Sequence, residues 1–120
     1  MNLTNQEMDI YVRALEKISG KVKGKLAYAV ARNIRKLSTE LVEFQNMSNE
    51  AITKFGYPNE NGTYTIRIDS DEYKKYLAEM QGVQNIENEV DLMKVSQDVL
   101  EESDLNAQEM LSIDFMITEE

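Results

Sequence analysis

Val30, Ile34, Leu37, Leu41, Phe44, Ser48, Ala51 and Phe55 keep a strict four-three spacing, with Ser48 the one polar member of the series. Apolar residues at this period define one face of an α-helix. Ala27, Ala31, Val42, Met47 and Ile52 widen the stripe, as in a helix covered on more than one side. The pattern predicts one long helix of about 26 residues, ending near Gly56 with Pro58 just beyond. A helix of this length needs partners, and that requirement constrains everything else in the chain.

The nearest partner precedes it. Thr4-Asn5-Gln6-Glu7 has the form of a capping box, and Met8, Tyr11, Leu15, Ile18 and Val22 repeat every three or four residues. Gly20 and Gly24 bracket Lys21-Val22-Lys23, which marks a turn that could hold Val22 despite its period. A short connection between two apolar faces predicts an antiparallel helical hairpin over about 5–55. Helix 1 covers about half of helix 2. The stretch from Phe44 to Phe55 must find its cover in later elements or in a second chain.

Pro58-Asn59-Glu60-Asn61-Gly62 reads as a turn, and Thr63 to Ile68 alternates as a short strand with Tyr64, Ile66 and Ile68 on one face. A third helix starts at Asp69 or Ser70 and runs through Tyr73, Tyr76, Leu77 and Met80 to Gly82. Glu87 to Val95 reads as a second strand, expected to pair with 63–68 because a lone strand leaves its backbone groups unsatisfied. Ser96 can cap a helical turn through Val99 and Leu100. Asn106-Ala107-Gln108-Glu109 resembles another cap, before a last helix carrying Met110 through Ile117. The expected fold is mainly α (α+β): the hairpin with its long second helix, a small two-stranded antiparallel β element and a C-terminal helix. It forms a single domain over 1–120, with a β/α part over about 63–117.

Charge is strongly polarised. Residues 13–36 hold eight cations against the single Glu16, a net of +7, so a total of −9 leaves −16 for the rest. Lys21, Lys23 and Lys25 surround the turn, and Arg32, Arg35 and Lys36 follow on helix 2. These six are candidate contacts for an anionic partner, whether nucleic acid, a nucleotide or an acidic protein surface. Pairing with the chain's own acidic half, or with that of another subunit, is the favoured reading, because the remaining −16 repels phosphate. Phe44, Met47, Ala51, Phe55, Phe115 and Met116 are the candidate protein-interface residues, since soft and aromatic side chains suit partner recognition.

Catalysis is not expected. The chain has no histidine and no cysteine, which removes the commonest general base and thiol nucleophile, and no glycine-rich phosphate loop or nucleophile elbow occurs. Glu87, Glu89 and Asp91 would share one side of a strand but lack the further oxygen ligands and glycine turn of a calcium loop, so no metal and no cofactor is expected. The longest apolar run, Leu26 to Ala31, is far short of the roughly 20 residues that span a bilayer. The N-terminus has no basic stretch or apolar core of a signal peptide. Without cysteine there is no disulfide framework, so the sequons at Asn2, Asn46 and Asn61 read as chance matches and a bacterial cytoplasmic location is expected.

Ala14-Leu15-Glu16-Lys17-Ile18, then Gly24 to Asn33, then Lys36-Leu37 and Glu40 resemble a family of small tailed-phage and prophage proteins of Gram-positive bacteria, a domain of unknown function. Lys54 to Tyr57, Glu60-Asn61-Gly62 and the ending Leu111 to Glu120 extend the similarity over nearly the whole chain. A proline that often follows the first helix in that pattern is replaced here by Val22 or a neighbour. None of these motifs is a catalytic signature. The resemblance implies a phage setting and a helical hairpin. The long two-sided helix, the charge polarity and the missing catalytic groups lead to the expectation of a non-enzymatic module that binds another phage or host protein or a second copy of itself, in virion assembly or in inhibition of a host defence protein. The alternative is nucleic-acid or nucleotide binding through 13–36.

Overall fold

The structure, a computed structural model, describes residues 1–118. It is mainly helical, with small two-stranded sheets. The elements are β1 (Asn2–Thr4), α1 (Asn5–Ile18), α2 (Gly24–Glu40), α3 (Val42–Phe55), β2 (Tyr57–Pro58), β3 (Tyr64–Thr65), α4 (Asp71–Gln84), β4 (Glu87–Glu89), β5 (Val95–Ser96), α5 (Gln97–Glu101), α6 (Ala107–Ser112), a 3₁₀ turn (Asp114–Met116) and β6 (Ile117–Thr118).

The capping box at the start of α1 forms in both directions. Thr4 Oγ1 accepts from the Glu7 N–H at 3.1 Å, and Glu7 Oε1 accepts from the Thr4 N–H at 2.9 Å. Two donors that the helix itself cannot satisfy are thereby paired. Met8, Val12, Leu15 and Ile18 then face inward and meet Leu26, Ala29, Val30 and Leu37 of α2. The C-terminal third closes over both helices with Val90, Leu92, Val95, Leu100, Leu105, Ile113 and Met116.

The single long helix expected from the apolar series is divided at Leu41 into α2 and α3. Leu41 keeps a right-handed backbone (φ −85°, ψ −5°), donates to the Leu37 carbonyl at 2.9 Å and accepts from the Gln45 N–H at 2.8 Å. Its fully buried side chain anchors the joint. The break is therefore a local change of pitch, and the four-three series crosses it without losing a step. At about 1.5 Å per residue, residues 24–55 would span about 48 Å. The longest dimension of the molecule is 48 Å.

The expected strand pairing between 63–68 and 87–95 is corrected. β3 pairs antiparallel with β2, Tyr57 opposite Thr65 and Pro58 opposite Tyr64. Closing a short loop costs less entropy than closing one of twenty residues, and this loop is built for closure. The Asn59 N–H donates to the Thr63 carbonyl at 2.7 Å, the Asn59 amide reaches the hydroxyls of Thr63 and Thr65, and Gly62 takes φ +86°. β4 instead pairs antiparallel with β1, Leu3 opposite Asn88. Asn5 directs that choice: its N–H donates to Ile86 at 3.1 Å, its amide donates to Val83 at 2.8 Å, and its side-chain oxygen accepts from Asn88 at 2.9 Å.

The C-terminal helix is also shorter than expected. α6 has its capping box, Asn106 with Glu109, but stops at Ser112. The 3₁₀ turn that follows brings Ile113 and Met116 together into the core and frees Ile117–Thr118 to pair in parallel with Val95–Ser96. A continuous helix could not have given those residues that ladder.

Within the chain, α4 is the main cover for the second half of the apolar series, and β3 packs against the end of α3. α3 and α4 pack through Ala51 and Met80, with the Ser48 and Tyr76 hydroxyls 2.9 Å apart and Lys54 Nζ 3.4 Å from Glu79 Oε1. The one polar residue of the series thus has a polar partner. Ala51 and Met80 lie outside the main core cluster, so α3, α4 and the β2–β3 pair form a thinly packed lobe.

Candidate functional site

The six candidate anion contacts do not converge on one site. Lys21 is committed to the chain's own acidic half, with Nζ 2.7 Å from Glu109 Oε2. Lys36 is half-buried and donates to the Asp91 carbonyl. Arg32 Nη1 donates to the Tyr28 hydroxyl at 3.3 Å on the open side of α2, where Arg35 is also exposed. Lys23 and Lys25 flank Gly24, whose φ of +59° lets the chain turn sharply into α2. They line a cleft of about 310 Å³ with Lys21 and, from across the fold, Val99, Glu102, Ser103 and Asp104. The cleft therefore carries both signs of charge, and its acidic wall opposes phosphate while favouring a basic or zwitterionic group.

The Lys21 contact has a measurable consequence. The hydrogen bond from Lys21, with the Asn106 N–H as second donor, holds the Glu109 carboxyl below the usual carboxylate range; burial opposes the shift and the Lys21 charge adds a lesser push in the same direction. The unfolded chain therefore binds that proton more tightly than the folded one. The resulting stabilisation is fully present above the ordinary carboxylate pKa and is lost as pH falls through the lowered value. In an NMR titration, Lys21→Met should move the Glu109 pKa upward, toward the ordinary carboxylate value. An unchanged titration would show that Lys21 does not hold this carboxylate in solution.

The interface candidates divide sharply. Met116 is fully buried, its sulfur 3.7 Å from the Asn33 amide nitrogen, and Ala51 is buried against α4. Neither can meet a partner in this fold, because the 3₁₀ turn carries Met116 into the core and α4 covers Ala51. Phe44 is half-buried against the core. Phe55 is half-buried, with Lys54 Nζ 5.0 Å from its ring centre. Phe115 stacks on Tyr11, ring centres 4.0 Å apart and planes within 9°. Burial there, with Glu7 nearby, raises the Tyr11 phenol pKa. Met47 alone of the six is exposed.

Other side chains join Met47 at the surface of the same lobe. Val42, Tyr57, Tyr64, Ile68, Leu77 and Ile86 are all exposed, Ile68 to 80%. Most of the exposed large apolar side chains among the described residues therefore lie between 42 and 86. On the core-facing side of the lobe, a cleft of about 500 Å³ runs between α1, α3 and α4, lined by Arg13, Phe44, Ser48, Ile52 and Tyr76. Sequence periodicity marked Met47 as an interface candidate, but placed Leu77 in the apolar series of the third helix and Ile68 on the apolar face of a strand, and both are exposed here.

Asn33 is the residue that the apolar pattern concealed. It is fully buried on α2. Its amide donates to the Met93 carbonyl at 2.9 Å, and its side-chain oxygen accepts from the Met93 N–H at 2.7 Å. Its place between Val30 and Leu37, on the inward side of the helix, was the available signal: a polar side chain there has to find a buried partner.

Among the described residues no group of three or more metal-ligating side chains is arranged to hold an ion, and no helix is long and apolar enough to cross a membrane. The class defined by these features is a small, mainly helical protein with a principal core and a thin apolar-surfaced lobe. Comparison with protein-family models, curated proteins and solved structures gives no match to this chain.

Proposed function

We propose that this chain is a non-enzymatic protein-binding module, working in the cytoplasm of a bacterial host. The antiparallel pairing of α1 with α2 serves as its scaffold, and the α3–α4 lobe is its contact surface. The carrying observation is the concentration of exposed apolar side chains on that lobe, Met47, Leu77 and Ile68 among them. Apolar surface gathered on one part of a small protein marks a site where another macromolecule is met. The tailed-phage resemblance adds a setting in which such a module serves virion assembly or the inhibition of a host defence protein.

Affinity capture from infected cells tests the reading. The intact chain should retain a stoichiometric protein, and Met47→Glu with Leu77→Glu should release it while circular dichroism stays unchanged. A chain that retains nothing, or whose partner survives both substitutions, removes the lobe from this role.

A further inference from the structure

We propose that the exposed flank of α2 and α3 carrying Lys25, Arg32, Glu43 and Glu50 pairs antiparallel with the same flank of a second copy of this chain, about a two-fold axis between Leu37 and Ser38. This rests on the protein-binding reading and names one of its partners. Lys25, Arg32, Glu43 and Glu50 are all exposed and stand 7, 11 and 7 residues apart. At about 100° per residue those steps keep the four charges within about 20° of one line along the helix. Leu41, between the two halves of the line, keeps a right-handed backbone. Between 25 and 50 the first half of the line is positive and the second half negative; Lys54, further along it, is paired with Glu79 of α4.

The spacing is also self-complementary. Lys25 and Glu50 have the same sequence midpoint as Arg32 and Glu43. Turning one copy end over end about that midpoint therefore sets Lys25 opposite Glu50 and Arg32 opposite Glu43, each twice by symmetry. A parallel alignment would set like charge on like. A surface that complements itself under a two-fold rotation is the requirement for a closed homodimer. None of the four makes an ion pair within its own chain among the described residues. The Tyr28 hydroxyl accepts from Arg32, and exposed Tyr28 lies beside the line.

Sedimentation equilibrium over a concentration series in low-salt buffer should give a mass twice the 13.8 kDa of the chain. The dimer should dissociate as salt shortens the Debye length from about 10 Å at 0.1 M to about 3 Å at 1 M. Lys25→Glu with Arg32→Glu should be monomeric, and so should Glu43→Lys with Glu50→Lys. An equimolar mixture of the two variants should dimerise again, as should the chain carrying all four changes. Because the native chain has no cysteine, Arg32→Cys and Glu43→Cys variants should cross-link when mixed and not when oxidised separately. A wild-type chain that stays monomeric, or a dimer indifferent to charge reversal, overturns the pairing. A monomer that still captures a partner through Leu77, on α4, leaves the broader reading standing. A charge-sensitive dimer that captures nothing does the reverse.

Discussion

Asn33→Ala is expected to lower the unfolding free energy by about 3 kcal/mol, a sum of the unpaired Met93 backbone groups and the space left in the core. The magnitude follows from burial. In the folded chain the Asn33 side chain has no access to water, and both its polar atoms face Met93. Removing it leaves one part-buried N–H and one part-buried carbonyl of Met93 without their partners. For a chain of this size the melting temperature should fall by roughly 10 °C. Asn33→Leu keeps most of the volume and should still lose about 1–3 kcal/mol, which separates the polar contribution from the packing one. Asn33→Asp adds a sign. Its carboxylate can accept from the Met93 N–H but faces the Met93 carbonyl, so the variant should be weakest at neutral pH and recover in acid, where a protonated oxygen can donate. Denaturant unfolding of the three variants decides the matter; an alanine variant as stable as the parent would mean that the Met93 clasp is absent in solution.

Gly56→Ala is expected to cost about 2 kcal/mol, through crowding rather than torsional preference. Gly56 sits at φ −92°, which any residue adopts, but a Cβ there would lie 2.5 Å from the Ile52 carbonyl oxygen, 3.0 Å from that of Thr65 and 3.2 Å from Ile66 Cγ1. Two of these neighbours are backbone, and neither can swing aside. The end of α3 and the β2–β3 pair must separate to admit a methyl group. Unfolding measurements should show the loss, and the amide resonances of 52–66 should shift while those of α1 stay in place. A Gly56→Ala chain with parental stability and an unshifted β2–β3 pair would contradict the close approach.

Local chemistry was the legible part of this fold. Thr4 with Glu7, Asn106 with Glu109, and Ser70 all cap helices as their neighbours in sequence require, since a cap depends on three or four residues and little else. The joint at Leu41 was not legible, because an apolar period passes through a change of pitch unaltered. Nor was β1: Asn2–Thr4 is too short to show alternation, and its pairing with β4 is decided by Asn5 and Asn88, 83 residues apart. The last apolar run was misread for a related reason. Met110 through Ile117 suits a helix locally, and only the demand to bury Ile113 and Met116 under α2 breaks it into a turn and a strand. Of the candidate surface, Met47 was visible as an apolar residue at the edge of a stripe. The burial of Ala51 and Met116 depended on where α4 and the 3₁₀ turn came to rest.

The thin lobe gives the molecule two opening energies. Residues 42–86 are held to the rest chiefly by Leu41, Phe44 and the anchoring of Val83 and Ile86 by Asn5, while the lobe's own fully covered apolar residues are Ala51 and Met80. Little apolar area has to meet water for α4 to lift from α3, so its amides should exchange through sub-global opening well below the global unfolding energy. α1 and α2, locked under the C-terminal third, should exchange through full unfolding. The proposed contact surface is thus also the part of the chain expected to rearrange most easily around a partner.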